Sequence, residues 1–446
     1  FQGDDLASET TIAACAKHFA AYGFVEGGKD YNNVHIGKST LMNTIIPPFE
    51  AATKAGVATY MNAFNDIDGI PSTANDYLLR DLLKGSWGFD GFVVSDWNSI
   101  GEMVAHGTSA DEKEASKYAI NAGTDMDMEA DAYVQNLASL VDGGEVNVET
   151  INDAVKRVLR VKYRLGLFDD PYRYCDVARE KETLLNPAHL QTARDVARKS
   201  IVLLKNEGDL LPLGNQKQIA VIGPLAKDKN TPLGNWRAAA IDHSAVSFYE
   251  GLKEALPHAK IGYSEGCKLS IGPNNFFEET VVENKDRSQF KQAKQVAKNA
   301  EVVFMVLGET AHMSGEARSK SDISLPGLQL ELLKEIYKVN QNIVLVLMNG
   351  RPMTIPWEVA NIPTILETWH LGSEAGNAIA DVITGKYNPS GKLPMCFPRN
   401  VGQLPIYYNH KTTGRPSTDP GMVFYAHYGD VENSPLYSFG HGLSYS

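Results

Sequence analysis

Apolar and polar positions along the chain fall into two blocks. From residue 12 to about 165, the short apolar segments IAACAKHF, GVATYMNAF, GFVVSD and AGTDMDM alternate with amphipathic stretches such as STANDYLLRDLLKG and VETINDAVKRVLRVKYRLG. Apolar runs of this length, each followed by helical periodicity, predict βα units of a parallel sheet, four of them here. A second block begins near Thr192, with a helix predicted through Ala193 to Ser200 that leads into IVLLKN. Its further strand candidates, IAVIGP, VVFMVLGE, NIVLVLMNG and TILETW, are apolar at nearly every position, as parallel strands covered on both faces should be. Between the blocks, FDDPYRYCDVAREKETLLNP combines charges and prolines with poor periodicity and predicts a linker or a strap across the surface. The tail SPLYSFGHGLSYS is rich in turn formers and aromatics and has no helix signal. The pattern therefore predicts an α/β fold in two domains, residues 1–166 and 192–446, joined by 167–191.

Size and charge narrow the function. A chain of 446 residues exceeds what one hydrophobic core organises, which agrees with two domains. Its formal net charge of -12 and the lack of a Lys/Arg-rich block argue against nucleic acid or an anionic membrane surface as partner. A neutral or polar small molecule fits better. Cys15, Cys175, Cys267 and Cys396 are too scattered for a zinc site or a disulfide framework. No apolar run approaches the roughly 20 residues of a spanning helix. Neither GxGxxG nor GxxxxGK[ST] occurs, so phosphate cradling has no support, and without GxSxG a serine nucleophile has no elbow. His18, His35, His312 and His370 lack an HExxH pattern or a cysteine pair and read as non-metal residues; no metal and no cofactor are predicted. The chain opens on Phe1 rather than Met and reads as truncated at its front.

In βα architectures the loops after the strands converge on one face, where chemistry collects. Asp96, two residues after the apolar run Phe92, Val93 and Val94, is the first candidate. An aspartate there can equally be the N-cap of the next helix. The flat ring of Trp97 beside it could pack on a sugar, and other strand ends in the block are polar too: Lys17 and His18, Met61 and Asn65, Asp125 and Asp127. Glycoside cleavage with retention needs a second carboxyl about 5 to 5.5 Å from the first, one as nucleophile and one as general acid. The long polar segment GETAHMSGEARSKSDISLPGLQ offers Glu309, at a strand end and read as structural, and Glu316, on the loop body and able to project further. A solvated Glu316 paired with Arg318 is the competing reading.

In this order KHFAAYG, GGKDYN, MNAFNDIDG, GFDGFVVSDW, AGTDMDM, ARKSIVLLKNEG, SGEARSKSDISLPG, NPSGKLP and FGHGLSYS resemble a glycoside hydrolase family 3 β-glucosidase, essentially from end to end. The resemblance implies the second half of a (β/α)8 TIM-type barrel followed by an α/β sandwich domain that carries the acid/base loop. It implies Asp96 as nucleophile at the end of the seventh barrel strand and Glu316 as acid/base. Lys17 and His18 match the pair that hydrogen-bonds hydroxyls of the terminal sugar, Trp97 a platform beside it, and Met61 a residue lining the pocket. Phe64 stands in that pocket where many members carry a tyrosine whose hydroxyl approaches the nucleophile.

The activity implied by the resemblance is that of a retaining, exo-acting β-glucosidase acting on terminal β-D-glucosyl residues of short β-glucans, cello-oligosaccharides and aryl glucosides, periplasmic or secreted, with no cofactor. A β-xylosidase of the same family is the alternative. A β-N-acetylhexosaminidase fits less well, because KHFAAYG stands where that branch carries a KHFPGHG-like motif. By the same analogy the chain starts just before the fifth barrel strand and lacks the upstream sugar-binding Asp and Arg positions and the C-terminal fibronectin-III-like domain. Half a barrel exposes sheet edges and an apolar interior. The expectation is that the missing half comes from another chain or segment, or from a homodimer; otherwise the chain is an inactive carbohydrate-binding fragment.

Overall fold

The computed structural model describes residues 1–417 and 423–446, which divide into two compact units, Phe1–Lys181 and Glu182–Ser446. In the first unit, β1 (Cys15–Phe19), β2 (Thr59–Asn62) and β3 (Phe92–Val94) form a parallel sheet in that order, with Ala16 opposite Tyr60 and Met61 opposite Val94. Phe19, Tyr60 and Val93 from these strands pack with Leu78, Leu79 and Leu83 of the helix Tyr77–Ser86. Both ends of the helix Glu112–Ala122 are written in the sequence. Asp111 accepts from the Glu114 N–H at 2.9 Å, and Gly123 takes the left-handed φ of 109° that a side chain would resist.

The fourth strand expected at AGTDMDM is not one: it contributes a single parallel bridge, Met126 to Val94. Asp125 explains why. Its carboxylate accepts from the Val93 N–H at 2.8 Å and pairs with Lys84 at 2.6 Å, so a side chain takes a ladder position that backbone would otherwise fill. Residues 167–191 include the helix Val177–Thr183, and the stretch straps the start of the chain: Tyr174 donates to the carbonyls of Leu6 and Leu165, both at 3.0 Å, and Arg179 pairs with Glu9. The helix read from Ala193 begins earlier, at Pro187, because Asn186 caps it through the His189 N–H.

The second unit holds a six-stranded sheet: β4 (Val202–Asn206), β5 (Gln218–Ile222), β6 (Lys260–Ser264), β7 (Val302–Gly308), β8 (Ile343–Met348) and β9 (Thr364–Glu367). The spatial order is β4-β9-β8-β7-β5-β6, parallel throughout except for β4 against β9. Two cores explain the unbroken apolar runs. Val302, Phe304 and Val306 point into one with Val344 and Val346, while Val303, Met305 and Leu307 point into the other with Ile343, Leu345 and Leu347. On the first face the helices Phe248–Ala255 and Ala375–Ile383 touch through Gly251 and Gly376, where a Cβ on Gly376 would lie 2.0 Å from the Ser247 carbonyl oxygen. The outer edge of β4 is covered by the tail, with the Leu443 N–H donating to Leu203 O (2.8 Å) and His441 Nε2 to Leu204 O (2.9 Å).

Candidate active site

Each unit carries its own set of polar groups at the C-terminal end of its sheet. In the first, β1, β2 and β3 deliver His18, Met61 and, two residues past Val94, Asp96. Asp96 is 8 % exposed. Its Oδ1 accepts from the N–H of Trp97 at 2.7 Å, and its Oδ2 faces His18 Nε2 at 3.3 Å. One carboxylate oxygen is thereby held by a backbone donor, and the other lies beside the imidazole. Lys17, exposed on the same strand as His18, brings its Nζ to 4.0 Å from Met61 Sδ. Trp97 is 61 % exposed, leaving a flat apolar face open beside a carboxylate. Phe64 is buried in an aromatic group with Tyr22 and Tyr31, at ring separations of 5.9 and 5.0 Å, and Tyr22 also meets His18 edge-on at 5.3 Å.

The other polar strand ends do not join this cluster. Asp125 is committed to Lys84, and burial of the pair pushes the lysine down to about 8 and the carboxyl up. Asp127 accepts from the Tyr133 N–H at the start of the helix Ala132–Asp142, and burial again raises its carboxyl. Asn65 donates to the carbonyls of Ala20 and Asp66. All three tie backbone together, so convergence of polar strand ends is a weaker signal here than the sequence suggests.

In the second unit, Glu316 sits half-buried on the loop that follows β7. The indole N–H of Trp236 donates to its Oε2 at 3.3 Å. Arg318 reaches Glu279 at 3.4 Å and donates to the carbonyls of Phe276 and Glu278 at 2.7 and 3.3 Å. Glu309, fully buried at the end of β7, is gripped by two cations, Lys320 on Oε1 at 3.1 Å and Arg351 on Oε2 at 3.0 Å. Farther along the same sheet end, burial pushes Glu367 up to about 8 despite donors from Trp369 N–H (2.9 Å) and Asn349 Nδ2 (3.1 Å). Burial likewise drives His370 down to about 4 and so favours its neutral ring. Among the described residues, no group of three or more His, Cys, Asp or Glu side chains is placed to hold a metal ion.

Sequence reasoning does not single out Trp236 or Arg351. Trp236 lies in LGNWRAAA, which has neither helical nor strand period, and Arg351 in NGRP, a turn signature. A guanidinium a few residues past the end of an apolar strand, beside a glycine, is the one local hint in the second case.

Residues 4–161 match the model for the glycosyl hydrolase family 3 N-terminal domain and residues 201–445 that for the C-terminal domain. A periplasmic beta-glucosidase of Salmonella typhimurium is 42 % identical over the whole of this chain, and a beta-xylosidase of Formosa agariphila 35 %. A crystal structure of beta-glucosidase from Listeria innocua in complex with glucose superimposes with a TM-score of 0.92 at 36 % identity, also over the whole chain. The chain spans 60 % of the Salmonella relative, 61 % of the Formosa relative and 60 % of the Listeria chain. With both domain models matched in order, the chain belongs to glycoside hydrolase family 3.

Proposed function

We propose that this chain carries the reacting groups of a retaining, exo-acting β-glucosidase. The carrying observation is Asp96, a nearly buried carboxylate at a strand end with one oxygen held by the Trp97 N–H and the other facing His18. An oxygen of Asp96 attacks the anomeric carbon of a terminal β-glucosyl unit while Glu316 protonates the departing glycosidic oxygen. Water then displaces Asp96 from the glycosyl-enzyme, giving its proton to Glu316. Lys17 and His18 hold sugar hydroxyls through hydrogen bonds, Trp97 supports the ring, and Met61 and Phe64 line the pocket. The substrates are short β-glucans, cello-oligosaccharides and aryl glucosides. The glucosidase names of the Salmonella and Listeria relatives support glucose over xylose, and the former's periplasmic label supports export from the cytoplasm. The Formosa relative keeps β-xylosidase as the second reading.

Barrel strands beyond these residues complete the first unit, supplied by a further segment, another chain or a second copy. Supporting this, among the described residues β1 has a sheet partner on one side only, and β3 meets a single bridge on its far side.

The test is peptide mapping after treatment with a deoxyfluoroglucosyl inactivator, which traps a glycosyl-enzyme. A glucosyl adduct on the peptide holding Asp96, absent from Asp96→Asn, whose turnover drops about 10³-fold or more, is the expected result. An adduct elsewhere would remove Asp96 from the role, and the xylosyl analogue labelling faster would favour the xylosidase.

A further inference from the structure

The loop that bears Glu316 is held from beneath by one guanidinium. Arg351, just past the end of β8, donates from Nη2 to two carbonyls, Met313 O and, at 2.8 Å, Arg318 O. These carbonyls bracket Glu316, three residues before it and two after. The same guanidinium donates from Nε to Glu309 at 3.0 Å, and Glu309 is itself anchored: it is fully buried, and its N–H is bonded to Met348 O at 2.9 Å. Lys320 closes the far side of the loop on the other Glu309 oxygen. Two close approaches set the loop's path. A Cβ on Gly350 would lie 2.0 Å from Ser314 Oγ, and one on Gly315, at φ 103°, 2.6 Å from Asn235 Cγ. The chain thus runs from residue 313 to 320 tied to the Arg351–Glu309 pair at Met313, Arg318 and Lys320, with Glu316 between these ties.

From this geometry we infer that Arg351, fixed by Glu309, is the positioning residue for Glu316: it sets where the acid/base carboxyl stands without touching substrate. The inference rests on Glu316 being the acid/base, and it gives the second acid of the loop, Glu309, an anchoring role instead. A carboxyl displaced by about 1 Å loses most of its power to deliver a proton, of the order of 10²-fold. The fault should therefore appear where protonation of the leaving group matters. Arg351→Met leaves Glu309 buried with one cation fewer, so the charge-balanced pair Arg351→Met/Glu309→Gln accompanies it.

The experiment measures kcat/KM, which reports the glycosylation step, for dinitrophenyl β-glucoside and for cellobiose in the intact protein, with Glu316→Ala as reference. The former's leaving group departs without a proton; the latter's does not. Glu316→Ala is expected to lose about 10²–10⁴-fold on cellobiose and under tenfold on the dinitrophenyl substrate, with azide restoring turnover of the latter. If it shows no such selectivity, the acid/base reading itself fails. Given that selectivity, both Arg351 variants should reproduce it at roughly 10²-fold, and Arg351→Lys, which keeps the charge but not the fork, should fall between. Equal losses on both substrates, or wild-type kcat/KM on cellobiose in the folded double variant, would overturn the inference.

Discussion

Glu367 shows how far burial can outweigh hydrogen bonding. Two donors reach its carboxyl, yet loss of water dominates and lifts it to about 8, so at neutral pH the folded protein largely holds the neutral acid. The unfolded chain titrates near the ordinary 4.5. Between those values the folded state binds the extra proton, so this group's contribution to stability is complete below about 4.5 and is lost as pH rises through about 8. Glu367→Gln removes that slope. The variant's melting temperature relative to wild type should therefore climb as pH goes from 5 to 8, read by calorimetry in a pH series; a pH-independent difference would mean that Glu367 is already ionised across the range. Such groups are barely legible in a sequence. Glu367 is one charge in TILETW, and only the sheet around it reveals that it is fully buried.

Helices Phe248–Ala255 and Ala375–Ile383 approach backbone to backbone because neither Gly251 nor Gly376 has a side chain to hold them apart. Gly376→Ala gains about 1 kcal/mol of helix propensity but sets a methyl against the Ser247 carbonyl, which backbone cannot yield. Net destabilisation of roughly 1–3 kcal/mol is expected, seen as a lower urea midpoint with an unchanged m-value. Elements like β7 and β8 are fully legible, since strands apolar on both faces have few other homes. AGTDMDM misleads because its alternation cannot reveal that Asp125 turns inward to Lys84. The tie to the Glu316 loop is invisible for another reason: Arg351 bonds residues 33 and 38 positions away, and no local period encodes such a contact.

The two units differ in how completely each buries its own sheet. Residues 182–446 enclose a six-stranded sheet between two cores that draw only on that unit, whereas the three-stranded parallel sheet of the first unit pairs incompletely among the described residues. Expressed alone, 182–446 should unfold in a single cooperative urea transition and keep its near-ultraviolet circular dichroism, while lacking hydrolytic activity because Asp96 is absent. A broad, non-cooperative transition would show that its cores depend on the preceding residues.

The coverage of β4 has a consequence during synthesis. Its Asn206 meets Thr364 across 158 positions, and Leu204 receives the imidazole of His441 across 237. A ribosome adding roughly 5–20 residues per second emits β4 on the order of ten seconds before its first sheet partner and longer before its cover. Through that interval a nascent chain presents Val202, Leu203 and Leu204 with unpaired amides, a segment for chaperones to shield until the last strands emerge.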